Sequence, residues 1–343
     1  MAGCGRNNDK ILEYCARESG TLFIVQIYIQ FGVENDGSSV TLQSIVRFTR
    51  KTQRKGVYML LVFIILSICI CNTAIVGPRL IHTITNDDKI NGVALLNNEL
   101  YVLRCRSDNQ IDVYSTINFT LLRQLSVDSE NSLTGIAACP QKRAIYVINE
   151  VGYGVHRLGP DGSECKWPLT YSPLSLSVTR TSDVLVLCTV TIGNSEVNKV
   201  LFLNSENGEC VRTITAQISA DFEVYHCVQL KDDRYLMSYC SDARHDNGIV
   251  IRFDGDGKVL QSTQGEVSMH YPTFVTVDSD QFVLVCNYGA RRVDLFDPML
   301  NYVCNLTEGI SVNPWSFVFD EFTRRLYIDD HYPYFHHVSI VQL

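Results

Sequence analysis

Leu100-Tyr101-Val102 is echoed downstream by Ile145-Tyr146-Val147, Val184-Leu185-Val186, Tyr235-Leu236-Met237, Phe282-Val283-Leu284 and Leu326-Tyr327-Ile328. The middle residues of these triplets stand 45, 39, 51, 47 and 44 positions apart. Self-similarity with a period of roughly 40 to 50 residues marks propeller blades or a comparable array, in which one supersecondary unit recurs.

The surroundings of each triplet repeat as well. A short apolar stretch with many small residues comes first: Gly92 to Leu95, Gly135 to Ala138, Leu174 to Val178, Cys227 to Leu230, Phe274 to Val277 and Phe317 to Phe319. Small side chains suit an innermost strand crowded around a channel. After the triplet come a polar loop and a stretch of period-two alternation: Gln110 to Tyr114, Val155 to Leu158, Lys199 to Leu203, Ile249 to Phe253, Arg292 to Phe296 and Val338 to Leu343. Turn signals follow at Pro160-Asp161-Gly162, Glu206-Asn207-Gly208, Asp254-Gly255-Asp256-Gly257 and Asp297-Pro298. They lead into fourth strands such as Thr120 to Leu125, Cys210 to Ile214 and Tyr302 to Leu306. Four antiparallel strands repeated six times predict an all-β, six-bladed propeller. The sixth copy has no residues left for a fourth strand. Leu80-Ile81-His82-Thr83-Ile84 has the right alternation, and is predicted to pair beside Val338 to Leu343, closing the ring and removing an exposed edge.

Phe282-Val283-Leu284-Val285-Cys286-Asn287 through Arg292-Val293-Asp294-Leu295-Phe296-Asp297 preserves the pattern best. An apolar strand, a triplet and Arg-Val-x-x-Phe-Asp in this order resemble NHL-repeat propellers, over roughly residues 80 to 343. The third copy lacks the aromatic residue and the second lacks the closing Phe-Asp. The resemblance implies a platform for protein, peptide or RNA partners or, as in lactonase relatives, a metal enzyme, because a fold of this kind does not fix function.

Charge is unevenly divided. Residues 1–56 hold 8 Lys+Arg and 5 Asp+Glu, so the rest of a chain of net charge −8 carries −11. An acidic propeller argues against a nucleic-acid surface, which needs a basic one, and no nucleic acid is expected as a partner. Within 1–56, Thr21 to Val33 alternates as a strand does, but no motif marks a second folded domain, and a flexible tail is the expectation. Residues 57–76 run without a charge. A helix of about 20 residues spans about 30 Å, the thickness of a bilayer core. Arg47, Arg50, Lys51, Arg54 and Lys55 stand just upstream and only Arg79 soon after, so the positive-inside rule puts the tail in the cytosol and the propeller outside, as a single-pass type II membrane protein. The alternative reads the same stretch as a signal peptide and the propeller as secreted; Asn72-Thr73-Ala74 is a poor cleavage site. The sequons Asn118-Phe119-Thr120 and Asn305-Leu306-Thr307 fall where an outer rim is predicted and suit glycosylation. Cys105, Cys188, Cys240 and Cys286 sit at similar places near the ends of second strands, as buried unpaired thiols would. Cys139, Cys165, Cys210, Cys227 and Cys304 leave one or two bridges open.

Loops from second to third strands converge on one face of a propeller, around the channel mouth. The candidate binding residues there are Arg106, Asp108, Asn149, Asp242, His245, Asn287, Arg291, Asp329, Asp330 and His331. No catalytic residue, metal or cofactor is assigned. Oxygen ligands for a hard cation could come from Asp242, Asn287, Asp329 and Asp330, and His226, His270 and His331 invite a zinc reading, but no spacing rule joins either set. His336 and His337 would point to opposite faces of a strand. The reading is a membrane-anchored, non-catalytic module for a protein, peptide or glycan partner; the alternative is a metal-dependent hydrolase or lyase resembling lactonase or amidating-lyase propellers.

Overall fold

The computed structural model describes residues 10–18, 21–33, 40–49, 77–86, 88–104, 109–192, 195–218, 222–240, 247–263, 268–332 and 335–343. Two compact units divide the chain, Met1–Gly77 and Pro78–Leu343. In the first, Lys10–Glu18, Thr21–Val33 and Val40–Thr49 form an antiparallel sheet with Thr21–Val33 in the middle. The sequence suggests a strand only for that central segment, and the described backbone adds a neighbour on each side. The apolar run 57–76 lies outside the described residues, among which no helix is long and apolar enough to cross a membrane.

The second unit is six antiparallel sheets of four strands each. From blade 1 to blade 6 the inner strands are Ile90–Leu96, Leu133–Cys139, Ser172–Val178, Glu223–Gln229, Pro272–Val277 and Pro314–Asp320. The second strands, Glu99–Arg104, Ala144–Asn149, Val184–Ile192, Tyr235–Cys240, Val283–Asn287 and Arg325–Tyr332, contain all or most of every triplet. Third strands are Gln110–Ser115, Gly154–Leu158, Ser195–Leu203, Gly248–Phe253, Arg292–Phe296 and Phe335–Gln342. Blades 1 to 5 end on the outer strands Leu121–Ser126, Glu164–Pro168, Cys210–Thr215, Val259–Ser262 and Tyr302–Asn305. Blade 6 takes its outer strand from the other end of the unit: Arg79–Asn86 pairs antiparallel with Phe335–Gln342, Ile84 opposite Val338, and Ile84 is buried.

The triplets are apolar throughout because second strands are covered on both faces. In blade 1, Tyr101 and Leu103 pack toward blade 2 while Leu100 and Val102 pack toward blade 6. In blade 4, Tyr235 and Met237 face blade 3 and Leu236 faces blade 5. One such apolar cluster fills each of the six boundaries between blades. Buried tyrosines need a partner for the hydroxyl. Tyr101 donates to Glu99 at 2.8 Å, and Arg123 of the outer strand clamps the same carboxylate at 2.6 and 2.7 Å. The Arg123 hydrogen bond holds Glu99 below the usual carboxylate range, while burial and Glu99 push Tyr101 up to about 12. Between blades 3 and 4, Arg212 of blade 3 clamps Asp233 of blade 4 at 2.7 and 2.9 Å, and Tyr235 donates to that carboxylate. Gly257, in the third-to-outer turn of blade 4, has φ +81° and a Cβ there would lie 1.9 Å from the Thr215 carbonyl oxygen, so only glycine fits.

Ladder register corrects the apparent equivalence of the cysteines. Cys188 pairs with Pro173 as Asn287 pairs with Pro272, whereas Cys286 stands one residue earlier in its strand and Cys240 one residue later than that position. All three are buried, and Cys105 lies outside the described residues. Cys139, Cys165, Cys210, Cys227 and Cys304 are free thiols, so none of the five forms a bridge.

Candidate functional site

The site begins with a fault repeated in all six inner strands. Pairing of inner with second strand skips one residue per blade: Asn91, Thr134, Leu174, Tyr225, Thr273 and Trp315. A bulge leaves the extra residue outside the ladder and re-aims its side chain. All six skipped residues line one cavity of about 1000 Å³ at the channel mouth, on the face where second strands turn into third strands. Two of them also tie blades together: Asn91 donates to the Leu133 carbonyl at 2.6 Å and Thr273 to the Trp315 carbonyl at 2.6 Å.

Below the mouth the channel narrows. Val93, Ile136, Leu176, His226 and Phe274 border both this cavity and a smaller one of about 440 Å³ that opens on the opposite face. His226 stacks on Phe274 with centroids 3.9 Å apart. Its Nδ1 lies 2.9 Å from the Val275 carbonyl oxygen of blade 5 and its Nε2 3.2 Å from that of Leu176 in blade 3. Burial lowers its pKa to about 4 against the upward pull of both carbonyls. Both ring nitrogens thus face backbone of neighbouring blades, and the neutral imidazole, with its one N–H, donates to one of these two carbonyls.

Blades 4 to 6 give the mouth an aromatic wall. Tyr271 meets Tyr225, Tyr288 and Trp315 edge to face at 4.9, 5.5 and 5.8 Å. Trp315 stacks on His331 at 5.2 Å with ring planes 3° apart. Such edge-to-face contacts fix ring orientations beyond what apolar burial does. Tyr225 donates to Glu223 at 2.6 Å, and burial followed by that bond raises its pKa.

Of the candidate binding residues, His331 lines the cavity. The sequence places Asp329, Asp330 and His331 in a loop; they lie instead in the second strand Arg325–Tyr332, because the hairpin runs on through His331 opposite His336 and Tyr332 opposite Phe335. Asp329 is fully buried, with its Oδ2 accepting from Ser316 at 3.2 Å and His331 Nε2 3.1 Å from its Oδ1. Asp330, Asn287 and Asn149 play the same structural part. Each is buried at the end of a second strand and holds the segment that enters the inner strand. Asp330 accepts from Asn313 N at 2.8 Å, Asn287 accepts from His270 N at 2.8 Å, and Asn149 donates to Ser129 Oγ at 2.6 Å. Arg291 is exposed in a turn with φ +56°. Arg106, Asp108, Asp242 and His245 lie outside the described residues. His336 and His337 do part as a strand requires: His336 meets the His331 ring at 4.8 Å, and His337 Nε2 lies 3.1 Å from Asp330. Among the described residues, no three side chains of metal-ligating type converge.

The bulge residues are missing from the sequence reading, since a bulge is a mismatch of count between two strands and neither strand shows it alone. The one available signal is the recurrence of a large or polar residue 10 to 12 positions before the middle of each triplet.

No protein-family model and no curated protein matches the chain. Solved structures do resemble it. Virginiamycin B lyase from Staphylococcus aureus superposes over 78% of this chain and 100% of its own, with a TM-score of 0.54 and 10% identity. The WD40 β-propeller domain of Doa1 covers 78% and 97%, with a TM-score of 0.51 and 13% identity. A protein of unknown function from Bacteroides caccae covers 68% and 83%, at 0.52 and 13%. At such identities the likeness shows the fold alone, a β-propeller, and the six four-stranded sheets of this chain set its number of blades.

Proposed function

We propose that this chain is an NHL-like propeller, anchored in a membrane by residues 57–76 and facing the extracytoplasmic side, that binds a protein, peptide or glycan partner at the channel mouth without catalysing a reaction. The observation that carries the binding reading is the ring of six bulge residues around the 1000 Å³ cavity. A repeated departure from ladder pairing, aimed at one concave surface, is what ligand sites on rigid scaffolds use. Holding those side chains on strands lowers the ordering cost of binding. The NHL-like reading is supported by the Arg-Val-x-x-Phe-Asp pattern of Arg292 to Asp297, which falls on the third strand of blade 5 and the turn after it.

Orientation across the membrane is testable through the sequons. Asn118 is exposed, and its Oδ1 accepts from the exposed Thr120 hydroxyl at 2.9 Å. Thr307 of the second sequon is buried, where its Oγ1 accepts from Val293 N at 3.1 Å. Asn118 is therefore the expected glycan acceptor. Expressed in eukaryotic cells, the full chain should lose mass on glycosidase treatment, and Asn118→Gln should remove that shift while Asn305→Gln leaves it. A propeller that is unglycosylated and fully digested when protease is added to intact microsomes would overturn the proposed topology.

A further inference from the structure

The mouth cavity is chemically divided. Along blades 2 to 4 its rim carries the exposed carboxylates Glu150, Glu196 and Glu223. Among the described lining residues only Lys89 and the histidines His226 and His331 are of basic type. Below the carboxylates, on the same blades, lie the hydroxyls of Thr134 and Ser175. Neither oxygen has a hydrogen-bond partner among the described residues, and Ser175 is only 8% exposed. A hydroxyl without a protein partner takes its hydrogen bonds from whatever fills the cavity, so this wall suits a ligand that brings polar hydrogens to it. The other side of the cavity, on blades 4 to 6, presents Tyr225, Phe274 and Trp315.

We infer that the channel mouth takes an arginine side chain presented by a partner peptide, its guanidinium set between the Glu150, Glu196 and Glu223 carboxylates with the Thr134 and Ser175 hydroxyls on one side and the aromatic wall on the other. The assignment rests on the binding reading above and narrows it. A guanidinium carries five N–H donors and no acceptor, which suits a wall of carboxylates and unmatched hydroxyl oxygens. Its planar face stacks on aromatic rings and is weakly hydrated, whereas the compact lysine ammonium keeps its water. An acidic segment would meet three carboxylates against one lysine, and like charges brought together oppose binding.

The test uses the full chain in detergent and three end-blocked, fluorescein-labelled pentapeptides carrying two arginines, two lysines or two glutamates, followed by fluorescence anisotropy. The arginine peptide is expected to saturate and to bind about tenfold more tightly than the glutamate peptide and about threefold more tightly than the lysine peptide. The triple variant Glu150→Gln, Glu196→Gln, Glu223→Gln should lose about tenfold for the arginine peptide. Its thermal unfolding should change little, because the three side chains are exposed and an amide oxygen at position 223 can still accept from Tyr225. Ser175→Ala should lose a further few-fold. Equal binding of the arginine and glutamate peptides, or undiminished arginine binding by the triple variant, overturns the assignment. If no peptide binds while cross-linkers at the mouth still capture a partner, the arginine assignment falls and the binding reading stands. If capture occurs only from other surfaces, both fall.

Discussion

A chain lacking residues 79–86 is expected to lose the cooperative unfolding transition that a chain beginning at Pro78 retains. Arg79–Asn86 pairs along Phe335–Gln342 from Gln342 opposite Arg79 to His336 opposite Asn86. Its removal exposes a sheet edge whose next residues, Val338, Ile340 and Val341, are core. Full burial of one isoleucine such as Ile84 contributes about 1.5–3 kcal/mol, and each ladder hydrogen bond about 1 kcal/mol net. Over an eight-residue strand these losses rival the roughly 5–15 kcal/mol that holds a domain folded. Calorimetry would show a broad or absent endotherm, and a synthetic peptide of residues 78–86 added in trans should restore part of it. An unchanged melting temperature without the strand would contradict ring closure.

The second large effect concerns acid. His226 is neutral when folded, with a pKa near 4 against 6.5 for the ordinary imidazole, because burial penalises its charged form. In this window the unfolded chain binds the proton and the folded chain does not, so stability is full above about pH 6.5 and declines as pH falls toward 4. The slope is about 1.4 kcal/mol per pH unit, and about 3 kcal/mol is lost across the window. Burial also lowers His336, which adds loss of the same sign. Chemical denaturation of wild type and His226→Leu at pH 7.0 and 4.5 isolates the residue: the leucine variant should lose markedly less stability between the two. Parallel losses would mean that His226 is protonated in the folded channel.

How much of this was legible in the residues depended on whether one strand sufficed to show it. Tyr101, Tyr146 and Tyr327 betray the blades because each second strand is apolar on both faces, and that is written in consecutive letters. The closing strand was legible too, since Leu80 to Ile84 alternates and the sixth copy lacked a partner. Asn149, Asn287 and Asp330 read as loop polars, yet the fold buries them at strand ends to brace backbone, a role visible only once the residues they hold come near. The mouth itself was out of reach. Thr134 and Trp315 become neighbours of one cavity through bulges, and a bulge is a relation between two strands.

Site-specific photo-cross-linking from the propeller surface in cells tests the central claim most directly, namely that the bulge-ringed mouth is where a partner binds. A photoreactive residue at Leu174 or Thr134 should give discrete adducts, whereas one at Arg180 or Glu321 on the opposite opening, or at Val259 on an outer strand, should give none. Adducts from the opposite opening or the outer strands, with the mouth positions silent, would contradict the account.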